Sequence, residues 1–522
     1  MEKRILGLLL TITITITITV SFAACRGDIK ASREASEKTE TEIEVSEIYG
    51  PVDFDKEPVT LTVCYPVMQD ALPGMVRIQE LVNEITLAEI NCKVEFEPVS
   101  LSDMSNIYAL KMSSQKKLDL MCLFPGSRYM ISYANMNMII PLDDYMDTYG
   151  GGIIEAVGEI MDAGQYHGQQ YAIPQNMEPK SVCGIRFLGD ALEKYGFKAD
   201  EITTINDLDE VFAAVKENEP DLIILAPETS SSNLASTFVS YDGLGNTYGV
   251  LPNGGNTEDT TLINQYEDEV WINIVKKIRE WYQAGYISKD ILTSQDEGIT
   301  LQIAGKVFAT AGSSANGYGA GSTDPYMVTS PMAAPVIATT DIQLYLWAVS
   351  SSSQYPQQCI QFLSLLDSSA ELSTLLKFGI KDEHYEILED GSVNRINKES
   401  YLNDWLAFGD VNKTPEKAES IKSTLRSAEE FEAARNEWIA STIQSVGYGF
   451  IFDSTSVKTE IAALDAVKNE YTAAIANGTV NPETEIARFN EKLYAAGLQT
   501  VIDEKQRQFD VWLAEQEGKS VR

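Results

Sequence analysis

The chain has 522 residues, 44% of them hydrophobic, which is too long for one compact domain and apolar enough for two or three cores. Its 77 acidic and 40 basic side chains leave a formal charge of −37 spread along the chain, which argues against a nucleic-acid partner because phosphate binding needs a basic footprint. Two histidines, His167 and His384, and six cysteines without a C-x-x-C pair leave little material for metal sites, a Ser-His-Asp triad or a thioredoxin motif; no metal or cofactor is expected, and an enzyme would have to work with carboxylates.

Glu2, Lys3 and Arg4 precede an uncharged run to Phe22 and then Ala23-Ala24-Cys25, the layout of an export signal over residues 1–24. The Thr-Ile alternation from Thr11 to Thr19 mimics a strand and the run approaches a membrane span, but its place at the start and the small residues before a cysteine favour cleavage. The string SFAAC resembles the lipobox of bacterial lipoproteins, with Phe22 where leucine is usual. That resemblance implies cutting before Cys25 and a diacylglycerol on its thiol. Losing one acidic and two basic side chains takes the charge from −37 to −38. No later run is long and apolar enough to span a bilayer, so the expected location is the outer face of the bacterial cytoplasmic membrane, held by lipid only.

Residues 25–57 carry the lipidated cysteine and a tether rich in Lys, Glu, Ser and Thr, which cannot bury enough surface to order itself. Its reach as a coil is on the order of 30 Å. Arg26-Gly27-Asp28 within it is a chance match to an adhesion motif. Five thiols then remain, and Cys64, Cys92 and Cys122 sit in apolar runs that predict buried, reduced cysteines.

From Val59 the pattern is regular: strand VTLTVCY, a helix from Pro73 to Ile90, strand CKVEFEPV, a helix opened by Ser102 or Asp103, and strand DLMCLF. This order begins an open parallel α/β sheet, in which ligands meet the carboxyl ends of the strands. HGQQYAIPQNMEPK (167–180) is a crossing to a second lobe that starts with strand VCGIRF. Helices follow at 206–218 and 264–284, then GKVFATAGSS and MAAPVIATTDIQLYLWAVS, a return crossing and a buried strand. Helices Pro356 to Leu366 and Ser369 to Phe378 close this part, the second stopped by Gly379. Three amphipathic helices end the chain, the second capped by Asn481-Pro482, and their expected role is packing against a lobe.

The succession of lipobox, acidic tether, KLDLMCLF, GQQYAIP, GKVFATAGSS and SQYPQQCIQFLSLLDSSAEL resembles the extracellular solute-binding proteins of ABC importers, in the large family that includes sugar binders. KFGIKDEHYEILEDG, GYGFIFD and YTAAIANGTVNPETEIARFNEKLYAAGLQTVIDEKQRQFDVWL are similar to its LipO-like lipoprotein branch, whose C-terminal region is a domain of unknown function. The resemblance implies an α/β, two-lobed periplasmic-binding-protein type II fold with hinge crossings and a C-terminal helical extension. The corresponding division is 1–24 signal peptide; 25–57 lipidated cysteine and tether; 58–178 plus about 335–385 lobe 1; 179–334 plus part of 386–450 lobe 2; and 451–522 the helical region.

With 24 tyrosines and 6 tryptophans, several near the rim, stacking on sugar faces is a natural use of such a cleft. The lobe 1 candidates are Tyr65, Met68, Phe124 and Gly126, and Gln175 and Asn176 lie in the crossing. Asp242 could accept hydroxyls. Gly312 and Ser313 occupy a position where a tryptophan commonly follows the glycine in this family, and Tyr318 stands in for that ring. Tyr345 and Trp347 alternate with Leu344, Leu346 and Ala348, and one of the two faces is expected toward the cleft. GYGAG (317–321) has no strand-to-helix context for phosphate and reads as a loop. The function expected is capture of a solute, a sugar by resemblance, and delivery to ABC permease subunits without catalysis. The alternatives are a surface glycoside hydrolase using two carboxylates and a non-catalytic adhesin or scaffold.

Overall fold

The computed structural model describes residues 45–67, 73–101, 103–114, 117–176, 182–230, 232–315, 321–323, 326–388, 393–401 and 428–520. Cys25, Met68 and Tyr318, the signal peptide and the tether up to residue 44 lie outside them. In chain order the elements that frame the molecule are β1 (Val59–Val67), α1 (Met75–Ile90), β2 (Cys92–Ser100), α2 (Met104–Ser113), β3 (Leu120–Leu123), α3 (Gly126–Asn135) and β4 (Ile173–Pro174). They continue with β5 (Val182–Leu188), α4 (Leu208–Asn218), β6 (Ile223–Pro227), α5 (Glu269–Gln283), β7 (Val307–Ala315), β8 (Gly321–Thr323), β9 (Tyr326–Pro331) and β10 (Leu346–Val349). The chain ends with α6 (Pro356–Ser368), α7 (Ala370–Phe378), α8 (Ala428–Ser441), α9 (Lys458–Ala476), α10 (Pro482–Ala495) and α11 (Leu498–Ser520).

Two five-stranded sheets result, ordered β2-β1-β3-β10-β4 and β6-β7-β5-β9-β8. In the first, β1 runs parallel to β2 and β3 while β10 returns antiparallel. The inner strand β1 is buried on both sides from Leu61 to Pro66, whereas the edge strand β2 alternates buried Cys92, Val94 and Phe96 with exposed Lys93 and Glu95. Helix α1 turns Ile78, Val82, Thr86 and Ile90 to the sheet, the spacing of one helical face. Apolar cores lie on both faces of this sheet: Val63, Cys122, Trp347 and Phe362 on one, Tyr108, Met121, Leu123 and Leu346 on the other.

The second lobe has one large core, in which Phe187, Phe212, Val275 and Phe308 meet Leu464, Phe489, Leu493, Val501 and Phe509 of the last three helices. Those helices are capped as their residues dictate, Asn481 accepting from the Glu483 amide at 3.1 Å at the start of α10. The two-lobed α/β architecture with C-terminal helices is therefore present.

The end of the segment read as tether is ordered against lobe 1. Val45–Ser46 pairs with Gly50–Pro51, Val52 is buried, and Ser364 Oγ and Gln361 Nε2 donate to the carbonyls of Ile48 (2.6 Å) and Tyr49 (3.0 Å). Tyr49, Pro51 and Val52 supply apolar surface that the polar average of residues 25–57 hides. Cys64, Cys92, Cys122 and Cys359 are buried free thiols, and Cys183 is exposed. Burial pushes the Cys64 and Cys92 thiols up to about 12, which makes them inert.

Candidate functional site

Strand direction sets where the two sheets can meet a ligand. In lobe 1 the carboxyl ends of β1, β2, β3 and β4 lie at one rim with the start of β10, since Leu346 pairs with both Leu123 and Pro174. In lobe 2 the carboxyl ends of β6, β7 and β9 lie beside the start of β5, through the pairs Pro227–Ala311, Ser313–Gly184 and Pro331–Gly184. The chain passes from β4 to β5 and from β9 to β10, so both connections run rim to rim.

On the lobe 1 rim, the half-buried Phe124 packs on Tyr345 with ring centroids 4.8 Å apart. Gln175 is buried and Asn176 half-buried just beyond β4. Tyr65 is turned inward: it is 5% exposed, its ring meets Phe96 edge-on at 6.1 Å, and burial raises its phenol pKa well above the ordinary range. Gly126 serves packing, because a Cβ there would lie 2.4 Å from Leu346 Cγ and 2.7 Å from the Gln343 carbonyl.

Three expectations need correction. Trp347 belongs to one core of lobe 1 and Leu346 and Ala348 to the other, so neither face of β10 opens to the cleft; β10 is an inner strand, covered on both sides. Tyr345, just before it, is 8% exposed and reaches the rim only through its stack with Phe124. Asp242 is 2% exposed, with its carboxylate accepting from the Leu244 amide at 2.9 Å and Ser445 Oγ at 2.5 Å, so it anchors its own loop and has no room for a ligand hydroxyl.

The lobe 2 rim is polar. Gly312 sits in a bulge between Ala311 and Ser313 at φ +94°, a left-handed conformation that favours glycine, and among the described residues a Cβ there would find only Thr237 Oγ1, at 4.0 Å. The buried Ser313 hydroxyl is 3.2 Å from Glu228 Oε1, and Arg186 pairs with the same carboxylate at 2.8 Å. Thr310 and Gln302 extend this line inward, 3.0 Å apart. Arg186 and Glu228 keep 20% and 21% of their side chains exposed, which leaves the pair at the edge of the cleft.

The chain was compared with known proteins. Residues 80–377 match the family described as bacterial extracellular solute-binding protein, and residues 446–514 match a domain of unknown function, DUF3502. The chain belongs to the bacterial extracellular solute-binding proteins. A carbohydrate ABC transporter substrate-binding protein of Streptococcus pneumoniae is 24% identical over 449 residues, 83% of this chain and 87% of the relative. The solved N-glycan transport solute-binding protein NgtS of the same organism superposes with a TM-score of 0.76 at 21% identity, over 88% of this chain and 100% of that one. NgtS in complex with Man5GlcNAc gives 0.65 at 21% identity, over 88% and 99%. At these identities the solved structures establish the fold.

In this solute-binding protein the two rims differ chemically. Lobe 1 offers a flat aromatic surface, and lobe 2 offers a cation, a carboxylate and hydroxyls that donate and accept within one line. Arg186 and Glu228 escaped the sequence reading. The signal was a lone arginine in the apolar strand VCGIRF, and Glu228 is brought to it by the parallel pairing of β6 with β7.

Proposed function

We propose that the protein is a lipid-anchored receptor that takes up an oligosaccharide between its rims and passes it to the permease subunits of an ABC importer. The observation that carries this reading is the pairing of an aromatic rim with a hydrogen-bonding rim across two rim-to-rim connections. A sugar has both an apolar C–H face and a ring of hydroxyls, and it bridges such surfaces when the lobes close. The contact groups on this reading are Phe124, backed by Tyr345, with Gln175, Asn176, Arg186, Glu228 and Ser313, the space at Gly312, and, from the sequence, Met68 and Tyr318. The printed ligands of NgtS, Man1GlcNAc and Man5GlcNAc, make those glycans the first probes. Cys25 is the anchor, on the strength of SFAAC.

The test is calorimetric titration with Man5GlcNAc, followed by chromatography of the recovered sugar. Saturable binding of intact glycan is expected. Glu228→Gln should weaken it at least tenfold, because a hydrogen bond to a charged group contributes about 1.5–3 kcal/mol. Cleavage of the glycan would replace this reading with the hydrolase, and no binding to any glycan would leave the scaffold. For the anchor, palmitate labelling should be lost in Cys25→Ser, with the protein released to the medium.

A further inference from the structure

A second cavity, of about 670 Å³, contains none of the rim residues. One wall belongs to lobe 1: Asp162 and the hairpin of Gln165–Tyr166 and Gln169–Gln170, whose tip is His167-Gly168. The other wall is the loop from Tyr448 to Asp453 and a face of α11 that presents Glu504, Gln508, Val511, Trp512 and Glu515, spaced as one side of a helix.

Both walls hang on the connection from β9 to β10. Gln343 Nε2 donates to the Ala163 carbonyl at 2.8 Å on the lobe 1 side. Four residues earlier, Thr339 Oγ1 donates to the Gly447 carbonyl at 3.0 Å and accepts from the Gly449 amide at 2.7 Å on the other side. Across the gap, Tyr166 Oη is 3.2 Å from Asp453 Oδ2. Thr339–Ile342 is one helical turn, closed by the Gln343 amide on the Thr339 carbonyl at 3.0 Å, so it ties the two walls together, and an occupant touching both favours one arrangement of the lobes.

The lining selects a ligand class. Trp512 is half-buried and held rigid, stacked on Phe509 at 5.8 Å and edge-on to Phe450 at 5.9 Å. Val511 beside it is 52% exposed, and the His167 ring lies 4.0 Å from that of Tyr166 on the facing wall. The cation is already taken: Arg507 makes a two-pronged pair with Glu504 at 2.7 and 2.8 Å. What remains is flat apolar surface edged by carboxylate and amide groups, which suits an uncharged ligand with hydroxyls to donate, and the volume suits one or two sugar rings.

We propose that this hinge-side cavity is a second saccharide site whose occupancy is linked to the position of the lobes. The site itself is read from its own lining, and only the control below rests on the cleft binding proposed above. The test uses the full mature chain labelled with 5-fluorotryptophan and titrated with the disaccharide Man1GlcNAc. The ¹⁹F resonance of Trp512, assigned by its loss in Trp512→Phe, should shift saturably in the wild type and equally in Glu228→Gln. Val511→Arg, at an exposed position, should weaken that shift at least tenfold while leaving Man5GlcNAc binding in the cleft unchanged. X-ray scattering should show the radius of gyration of Glu228→Gln changing along the same titration, and the change should move to at least tenfold higher sugar when Val511→Arg is added. A Trp512 resonance that stays still to 20 mM sugar, or moves as readily in Val511→Arg, overturns the site. Saturation with an unaltered scattering profile overturns the linkage.

Discussion

Lys505 shows how a single residue can fix a loop. It is fully buried in α11, and its ammonium lies 2.8–3.1 Å from four oxygens: the carbonyls of Gly243, Asn246 and Gly249 and the Asn246 side chain. All four only accept, so the ammonium satisfies groups that burial would otherwise leave without a donor. Lys505→Met keeps the stem and removes the donors; it should cost about 1–3 kcal/mol from the carbonyls left without a partner, read from the denaturant midpoint of the second lobe. Asp242 gives a pH signature. Burial raises its pKa, against the pull of the Ser445 hydroxyl and the Leu244 amide. A carboxyl raised above its unfolded value of about 3.9 favours the fold below that pH and loses the advantage as pH climbs through the folded value. Asp242→Asn has no such loss, so its stability relative to wild type should improve from pH 4 to pH 7. A difference that stays flat with pH would refute the assignment.

At the scale of elements, the last three helices complete the core of lobe 2. Phe489 of α10 is fully buried between Tyr266, at 4.7 Å, and Tyr471, at 5.5 Å. Asn264 Nδ2 meets Asn490 Oδ1 at 2.9 Å, and the Leu234 amide donates to Asn477 Oδ1 at 2.9 Å. Phe489→Ala should therefore cost about 3–5 kcal/mol in the unfolding of lobe 2, measured by denaturant titration, whereas helices packed loosely outside it would leave that transition in place. The sequence carried the helices themselves through period and caps, including Asn481-Pro482 and Gly379. It did not carry what covers them, because an apolar face records that it is covered and not by which partner. Alternation misled at Tyr345 and Trp347 for a related reason: LYLWAV is a nearly continuous apolar run, which marks an inner strand more than a half-exposed one.

At the scale of the whole molecule, the strand-helix-strand order from Val59 to Phe124 made the first sheet legible, along with the rim at its carboxyl ends. The second rim was legible only at Gly312 and Ser313. Arg186 and Glu228 come from different strands, so their meeting is a product of sheet order that no local pattern records. The two connections predict a hinge, and Man5GlcNAc should reduce the radius of gyration in X-ray scattering; a ligand bound without contraction would mean that one rim suffices.

The position of β10 has a consequence for how the protein is made. This inner strand of the first sheet is supplied by residues 346–349, and the core of the second lobe waits for Phe509. Lobe 1 lacks an inner strand until residue 349 has been made, and lobe 2 lacks part of its core until the last helix exists. Domains ordinarily fold as units, from the amino end first, but here the early segments lack their closing pieces until nearly the whole polypeptide exists. A chain truncated before residue 346 should therefore fail to give a cooperative unfolding transition for the first sheet, although it contains β1, β2 and β3.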